Sequence, residues 1–289
     1  MGGPSKNLVQ RILVAAIAIP AVVGVIWLGG WVLAGVLALL GVLGTREVYD
    51  FARRQGIEPL ERTGWLAAAA IPLLAYWAKG SELHWAEPPL YLAAIWLMVV
   101  MTMAMGRRGP AGRPLTAIAV TVFGPLYAGG LLSFLIAIRH GGIAVVQPGA
   151  YVLLTLFPLV ITWISDTAAM AVGSALGGPK LAPILSPKKT VSGAVGGTLG
   201  GIITALALGK FVLNRQGWHF TAGQLLLFGL AVSIVGQIGD VAESLLKREV
   251  ALKDSSALIP GHGGILDRLD SLYFVIPAAA GLYRMYGVI

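Results

Sequence analysis

The sequence predicts an all-α, polytopic integral membrane protein with about nine transmembrane helices and a cytoplasmic N-terminus. Hydrophobic residues make up 57% of the chain and the mean hydropathy is +0.81, whereas soluble domains contain about 45–50% apolar residues. Apolar runs near or above about 18 residues, the length that crosses a bilayer as a helix, recur along nearly the whole chain. Strand-like alternation is absent, which argues against a membrane barrel of β-strands.

The predicted spans follow the successive apolar runs. They cover residues 11–30, 31–49, 64–80, 89–106, 115–138, 150–176, 191–213, 222–246 and 270–288. Charge divides the chain into N-terminal transmembrane helices, 1–149, and C-terminal transmembrane helices, 150–289, which hold every carboxylate that looks functional. Segment 45–62 is expected to end a helix in a collar of basic side chains that reach toward water.

The basic residues predict the orientation in the membrane. Of the 21 lysines and arginines, five fall on the predicted outer side: Lys79, Arg139, Lys210, Arg215 and Arg284. The other 16 fall on the inner side, as the positive-inside rule requires. The net charge of +8 therefore reflects topology, and no nucleic-acid partner is needed to explain it. The absence of cysteine excludes disulfides and thiolate chemistry.

Asp166, followed by Thr167, is an acid inside the sixth predicted span. At about 1.5 Å of rise per residue, its carboxylate would lie about 15 Å from the inner end of the helix. An acid at that depth must form an ion pair, take up a proton or bind a cation. Asp166 is thus a candidate functional residue, and a hydrogen bond between helices through a neutral carboxyl is the alternative.

Segment 185–193 (Leu-Ser-Pro-Lys-Lys-Thr-Val-Ser-Gly) is expected to begin the seventh span. The side chains of Ser186, Lys188, Lys189 and Thr190, together with free N–H groups at a helix N-terminus, would form a cradle for phosphate. An ordinary helix cap that also anchors the topology is the alternative.

Glycines recur at four-residue spacing within the same span. One stripe contains Gly193, Gly197 and Gly201, and a second contains Gly196 and Gly200. Small residues at this spacing predict tight contact between helices. The stripes suit packing within one chain or within a homodimer, and the sequence leaves both open.

Ionisable residues crowd the region from Asp240 to Asp270, although only 12% of the chain is charged. Asp240, Glu243, Ser244 and Lys247 have the spacing of one helical face. Downstream come Lys253, Asp254, a Pro-Gly-His-Gly-Gly turn, and Asp267 and Asp270 one helical turn apart. Carboxylates in this number suit Mg²⁺, and the neighbouring basic side chains suit a polyanion. The alternative is a loop held together by salt bridges.

The run from Ser244 to Asp270 resembles the signature of the phosphatidate cytidylyltransferases, also called CDP-diacylglycerol synthases. The matching positions are Ser244, Lys247, Arg248, Lys253, Asp254, Pro260, His262, Gly263, Gly264, Asp267, Arg268 and Asp270. Asp166-Thr167, segment 186–190, Gly239-Asp240, Glu243 and the succession of spans also resemble that family.

The resemblance implies the reaction CTP + phosphatidate → CDP-diacylglycerol + pyrophosphate. It places the chain in a bacterial-type inner (cytoplasmic) membrane with the active site facing the cytoplasm, and makes CTP, phosphatidate and the lipid bilayer its partners. The expected cofactor is Mg²⁺, and the sequence leaves open whether a second cation binds nearby.

The residues expected to act in this reaction fall into three groups. The catalytic group contains Asp240, Lys247, Asp267 and Asp270. The substrate-binding group contains Ser186, Lys188, Lys189, Thr190, Ser244, Arg248, Lys253, His262 and Arg268. The metal ligands are Asp240, Asp267 and Asp270, and Asp166 is a candidate for a second cation or for orienting a lysine.

The chain departs from the family pattern at Met170, Ser174 and Ser192, and no role is assigned to these positions. Two other functions stay open at this level. A CTP-dependent lipid kinase acting on a polyprenol would share CTP, Mg²⁺ and helices but transfer the γ-phosphoryl group. A transporter would show paired broken helices and an internal repeat, and neither is visible in the sequence.

Overall fold

The computed structural model describes residues 6–79, 87–107, 109–142, 149–258 and 263–289. Across these residues the chain forms ten α-helices and one two-stranded antiparallel sheet. The helices are α1 Lys6–Leu28, α2 Gly30–Arg54, α3 Glu61–Lys79, α4 Glu87–Arg107, α5 Pro114–Pro125, α6 Leu131–His140, α7 Ala150–Leu176, α8 Val191–Leu208, α9 Ala222–Glu249 and α10 Leu266–Met285. The strands are β1 Lys180–Ala182 and β2 Ser186–Thr190.

Each predicted span coincides with a helix, because long apolar segments in a bilayer must satisfy their backbone hydrogen bonds internally. The fifth span is formed by α5 and α6, which a π-helical turn at Leu126–Gly130 joins into one helix. Among the described residues, five helices are long and apolar enough to cross a membrane. They are Gly30–Arg54, Pro114–His140, Ala150–Leu176, Val191–Gln216 and Ala222–Glu249. The chain is an all-α, multi-pass membrane protein, and the count of nine spans stays a prediction.

The glycine stripes hold α8 against neighbouring helices of the same chain. A Cβ at Gly197 would lie 2.9 Å from both the Cβ of Ala169 and the carbonyl oxygen of Ser165 on α7. A Cβ at Gly200 would lie 2.8 Å from the Cβ of Ala168. The predicted tight helix contact is therefore confirmed, and it lies within one chain. It fixes α8 beside the C-terminal half of α7, where Asp166 is located.

A short β-hairpin precedes α8, where the sequence led us to expect only the start of a helix. Lys180 pairs with Thr190 and Ala182 pairs with Ser186. The helix begins at Val191, and the Thr190 hydroxyl caps it by accepting a hydrogen bond from the Gly193 N–H at 3.1 Å. The hairpin carries Lys188 and Lys189 beside the C-terminal parts of α7 and α9.

Contacts between distant parts of the chain join the two predicted halves. The rings of Tyr127, in the π-helical turn, and Tyr273, on α10, have centroids 4.6 Å apart. Glu47 on α2 accepts hydrogen bonds at the start of α10. These contacts place α2 directly behind the first turn of α10, at the edge of the charged region.

Candidate active site

One cavity of about 1160 Å³ joins an apolar groove to a charged end. Apolar side chains from α1, α2, α6 and α7 line the groove, among them Val22, Leu33, Leu37, Leu135 and Leu159. The charged end is lined by Asp166, Lys180, Lys188, Lys189, Thr190, Asp240, Asp267, Arg268 and Asp270. A cavity with these two ends can accept a molecule that carries both hydrocarbon chains and a phosphate group.

Four acids that the sequence analysis selected meet at the charged end. Asp166 comes from α7, Asp240 from α9, and Asp267 and Asp270 from successive turns of α10. The Asp166 side chain is open to the cavity, and within the described residues its carboxylate has no hydrogen bond to a neighbouring helix. The alternative, a hydrogen bond between helices through Asp166, is thus not seen among the described residues, and a functional role for Asp166 stays a prediction.

Four basic side chains line the cavity together with these acids. Lys180 comes from β1, Lys188 and Lys189 come from β2, and Arg268 comes from α10. The Lys189 Nζ lies 2.5 Å from Asp240 Oδ2, which ties the hairpin to α9. Thr190 also reaches the cavity, although its hydroxyl is used to cap α8.

Lys247 is the centre of a buried ion-pair cluster. Its Nζ lies 3.0 Å from Glu243 Oε1, one turn earlier on α9, and 2.7 Å from Asp267 Oδ1 on α10. The Glu243 side chain is 0% exposed and that of Lys247 is 9% exposed, so neither charge has much access to water. Such charges are tolerated only when they are paired, and Lys247 therefore compensates two carboxylates at once.

Asp267 is held by the chain that surrounds it. While Oδ1 pairs with Lys247, Oδ2 accepts hydrogen bonds from the Ser255 N–H at 2.6 Å, the Ser255 hydroxyl at 2.8 Å and the Gly264 N–H at 2.9 Å. Burial alone would raise the pKa of Asp267, but the hydrogen bonds from Lys247 and from the loop outweigh it and hold the pKa below its ordinary value. Asp267 is thus an ionised anchor for the loop.

The glycine pair before α10 fits closely around this anchor. Gly263 has a φ of +79°, and a Cβ there would lie 2.5 Å from Asp267 Oδ2. A Cβ at Gly264 would overlap both the Glu47 carboxylate and the Ser255 hydroxyl. The pair is needed because a side chain at either position would displace the groups that surround Asp267.

Four predicted substrate-binding residues do not line the cavity. Ser186 begins β2, Ser244 is buried in α9, and Lys253 is exposed in the loop after α9. Arg248 donates to the backbone carbonyls of Leu185 at 3.2 Å and Leu252 at 2.7 Å, so it braces the hairpin and the loop. Pro260 and His262 lie outside the described residues.

Glu47 is a buried acid that the sequence analysis passed over. It lies on α2 with 3% exposure, within the segment expected to be a basic collar. That expectation holds for Arg53 and Arg54, which are exposed, but it is wrong for Glu47. The Glu47 carboxylate reaches the Asp267 region from outside residues 150–289. The signal available in the sequence was an ionisable residue next to an apolar run.

The donor set at the charged end fits a cation that binds together with phosphates. Within the described residues, no group of three or more His, Asp or Glu side chains is arranged to hold a metal ion alone. Mg²⁺, however, commonly uses one or two carboxylates and completes its shell with water and substrate phosphates. Asp240 and Asp270 line the same cavity from facing helices and meet that requirement.

Comparison with known proteins agrees with these features. The cytidylyltransferase family model matches residues 9–286. A phosphatidate cytidylyltransferase from Synechocystis sp. is 33% identical over 288 residues, which cover 93% of this chain and 94% of that protein. The enzyme of the same name from Brucella suis is 42% identical over 133 residues, 46% of each chain. The chloroplastic phosphatidate cytidylyltransferase 5 of Arabidopsis thaliana is 31% identical over 292 residues, 92% of this chain and 69% of that protein. Because the match spans nearly its whole length, the chain belongs to the cytidylyltransferase family.

Proposed function

We propose that this protein transfers the cytidylyl group of CTP to phosphatidate and releases CDP-diacylglycerol and pyrophosphate. The single observation that carries the proposal is the cavity, which joins an apolar groove to an end lined by acids and bases. Phosphatidate has the same division between acyl chains and a phosphate monoester. Family membership and the names of the relatives support the same substrate.

The lipid is proposed to lie with its acyl chains along α1 and α2 and its phosphate toward the hairpin. Val22, Leu33 and Leu37 offer hydrocarbon contacts in the groove, and Lys188 and Lys189 offer positive charge at its inner end. The CTP phosphates would lie beside Arg268, which lines the charged end from α10. Cationic donors suit phosphate because charge-assisted hydrogen bonds are stronger than neutral ones.

In the proposed reaction an oxygen of the phosphatidate monoester attacks the α-phosphorus of CTP. A new P–O bond forms there, the bond from the α-phosphorus to the bridging oxygen of the β-phosphate breaks, and pyrophosphate leaves with the bonding electrons. The monoester is already anionic near neutral pH, so no strong general base is needed. The protein's task is to align the two phosphates and to neutralise charge on the leaving group.

Asp240 and Asp270 are the proposed ligands of Mg²⁺, and Asp166 is the candidate for a second cation or for orienting Lys189. When bound, the cation would offset negative charge on the phosphates of CTP and of the leaving group. Asp267, which the sequence analysis also assigned to the metal, already has both oxygens engaged by protein donors. We therefore assign Asp267 to ordering the site.

The proposed setting is a bacterial-type inner membrane, in which the chain works alone or as a homodimer. The charged end would face the cytoplasm, because Lys188, Lys189 and Arg268 belong to the basic side predicted by the distribution of charge. This orientation gives the site direct access to cytoplasmic CTP.

The decisive experiment uses purified protein in detergent with phosphatidate micelles, Mg²⁺ and CTP labelled at the α-phosphate. Label is expected in a lipid product only when phosphatidate and the metal are both present, and a chelator should abolish the transfer. Formation of CDP upon addition of a polyprenol, with no labelled lipid, would replace the proposal with the lipid kinase. If neither product forms with folded protein, the enzymatic proposal fails and the transporter must be reconsidered.

A further inference from the structure

Glu47 lies outside the cavity yet contacts the segment that builds its charged end. Its Oε1 accepts hydrogen bonds from the Ser256 hydroxyl at 2.7 Å and the Ile265 N–H at 2.9 Å. Its Oε2 accepts from the Ser255 hydroxyl at 2.8 Å and the Leu266 N–H at 2.9 Å. Four donors thus satisfy one buried carboxylate, which would otherwise carry a large desolvation cost.

All four donors belong to the segment from Ser255 to Leu266. Ile265 and Leu266 form the start of α10, where backbone N–H groups lack partners within the helix. The carboxylate therefore acts as a helix cap supplied from a residue 219 positions away in the sequence. No basic side chain pairs with Glu47 within the described residues, so its charge is stabilised by the loop and by the helix N-terminus.

Ser255 connects Glu47 directly to Asp267. The Ser255 Oγ lies 2.8 Å from Glu47 Oε2 and 2.8 Å from Asp267 Oδ2. A hydroxyl carries a single proton, so the two carboxylates share one donor. Any displacement of Glu47 is therefore transmitted to Asp267, to its ion pair with Lys247, and to Asp270 one turn later.

We propose that Glu47 is a positioning residue of the active site, which fixes the first turn of α10 and thereby aims Asp267 and Asp270 at the charged end of the cavity. This inference rests on the proposed function for its effect on catalysis. It assigns a role in the reaction to the N-terminal half of the chain. Catalysis that depends on alignment is sensitive to such a residue, because a displacement of about 1 Å can cost about 100-fold in rate.

The test compares Glu47→Gln with Asp50→Asn in the full-length protein in detergent. Both substitutions remove one negative charge from α2, but Asp50 lies at the surface and pairs with the exposed Arg53. Glutamine keeps the size of the side chain and points an NH₂ donor at hydrogen-bond donors of the loop. Glu47→Asp keeps the charge on a shorter side chain and serves as the conservative variant.

Two measurements read out the effect. For Glu47→Gln, kcat for label transfer is expected to fall by about tenfold or more with a smaller change in the KM for phosphatidate, and Glu47→Asp should recover part of the loss. Hydrogen–deuterium exchange should accelerate several-fold in peptides covering residues 263–270, because the Ile265 and Leu266 N–H groups lose their acceptor, and stay unchanged in α8. Asp50→Asn should match the wild-type protein in both measurements.

Wild-type turnover in Glu47→Gln, or unchanged exchange in residues 263–270, would overturn the inference. If Glu47→Gln fails to fold, Ser256→Ala provides a second test, because it removes one donor to Glu47 and leaves the contacts of Asp267 in place. Ser256→Ala should show a smaller fall in kcat and a smaller acceleration of exchange in residues 263–270. An inactive wild-type protein would count against the proposed function alone. The exchange measurement would then still decide whether Glu47 orders the start of α10.

Discussion

The ammonium of Lys247 lies 2.7 Å from Asp267 Oδ1 and thereby joins the last turn of α9 to the first turn of α10. The same ammonium pairs with Glu243, whose side chain is fully buried. One cation thus stands between two carboxylates at the junction of the helices that carry Asp240 and Asp270. The two helices also pack closely beside these acids, because a Cβ at Gly239 would lie 2.8 Å from the Asp270 carbonyl oxygen.

Replacement of Lys247 by Met should destabilise the fold as well as the site. It would leave Glu243 and Asp267 without their cation, and breaking a buried pair in this way costs about 3–5 kcal/mol. The free energy of unfolding, measured by SDS titration of the detergent-solubilised protein, should fall by that order, and turnover should be lost. Lys210→Met, at an exposed position after α8, should change neither quantity. A Lys247→Met protein as stable as the wild type would contradict the assignment.

Asp267→Asn and Asp270→Asn should distinguish a residue that orders the site from a residue that takes part in the reaction. Asp267 accepts four hydrogen bonds or ion-pair contacts from the protein, so Asp267→Asn should lower both the stability and the turnover. Asp270 accepts a hydrogen bond from the N–H of its neighbour Ser271 and otherwise faces the cavity. Asp270→Asn should therefore keep the stability while turnover falls by about 100-fold or more.

The Mg²⁺ dependence of the two variants provides the check. Asp270→Asn should need a higher Mg²⁺ concentration for half-maximal rate, because it removes a proposed ligand. Asp267→Asn should show a lower rate at all Mg²⁺ concentrations. The reverse pattern would return Asp267 to the metal, as the sequence analysis first assigned it.

The helices could be predicted from the sequence because the bilayer imposes one strong rule on apolar segments. The span predicted at 150–176 is α7 at Ala150–Leu176, and the other spans agree within a few residues at most of their ends. The start of α10 differs, since the helix begins at Leu266 and the prediction began at 270. Its first turn is polar and is capped by Glu47, which no local pattern reveals. The hairpin at 180–190 was missed because two strands of three and five residues are too short for a periodic signal.

The candidate site was predicted as a set of residues but only partly as an arrangement. The charge pattern identified Asp166, Asp240, Asp267 and Asp270, and the structure brings all four to one cavity. Local spacing does not show which donors surround a carboxylate, and for this reason the sequence predicts catalysis and metal binding for Asp267 but not its contacts with the loop. Arg248 was likewise assigned to phosphate, whereas two of its donors bind backbone carbonyls. These distinctions depend on contacts between segments that are distant in the sequence.

Alanine at Gly264 should damage the site through a single methyl group. The added Cβ would overlap the Glu47 carboxylate and the Ser255 hydroxyl, so the loop must move away from Asp267. Overpacking of this kind typically costs about 1–3 kcal/mol, and turnover should fall with it. Gly281→Ala provides the matched control, because it lies on α10 with no atom within 4 Å of the added Cβ. Equal thermal stability and turnover in the two variants would show that the close fit at Gly264 is dispensable.

Val22→Trp should weaken binding of the lipid substrate without weakening binding of the nucleotide. Val22 lines the apolar groove on α1, so the larger ring would occupy space proposed for an acyl chain. Each methylene kept out of the groove forgoes about 0.8 kcal/mol of burial. The KM for long-chain phosphatidate should therefore rise several-fold, while the KM for CTP and the rate with a short-chain phosphatidate stay close to the wild-type values.

Ile17→Trp, at an exposed position of α1 that does not line the cavity, should leave all three quantities unchanged. Because the chain lengths are compared in one variant, a general loss of folding would lower both rates. An equal effect on long and short chains would mean that the groove does not hold the acyl chains.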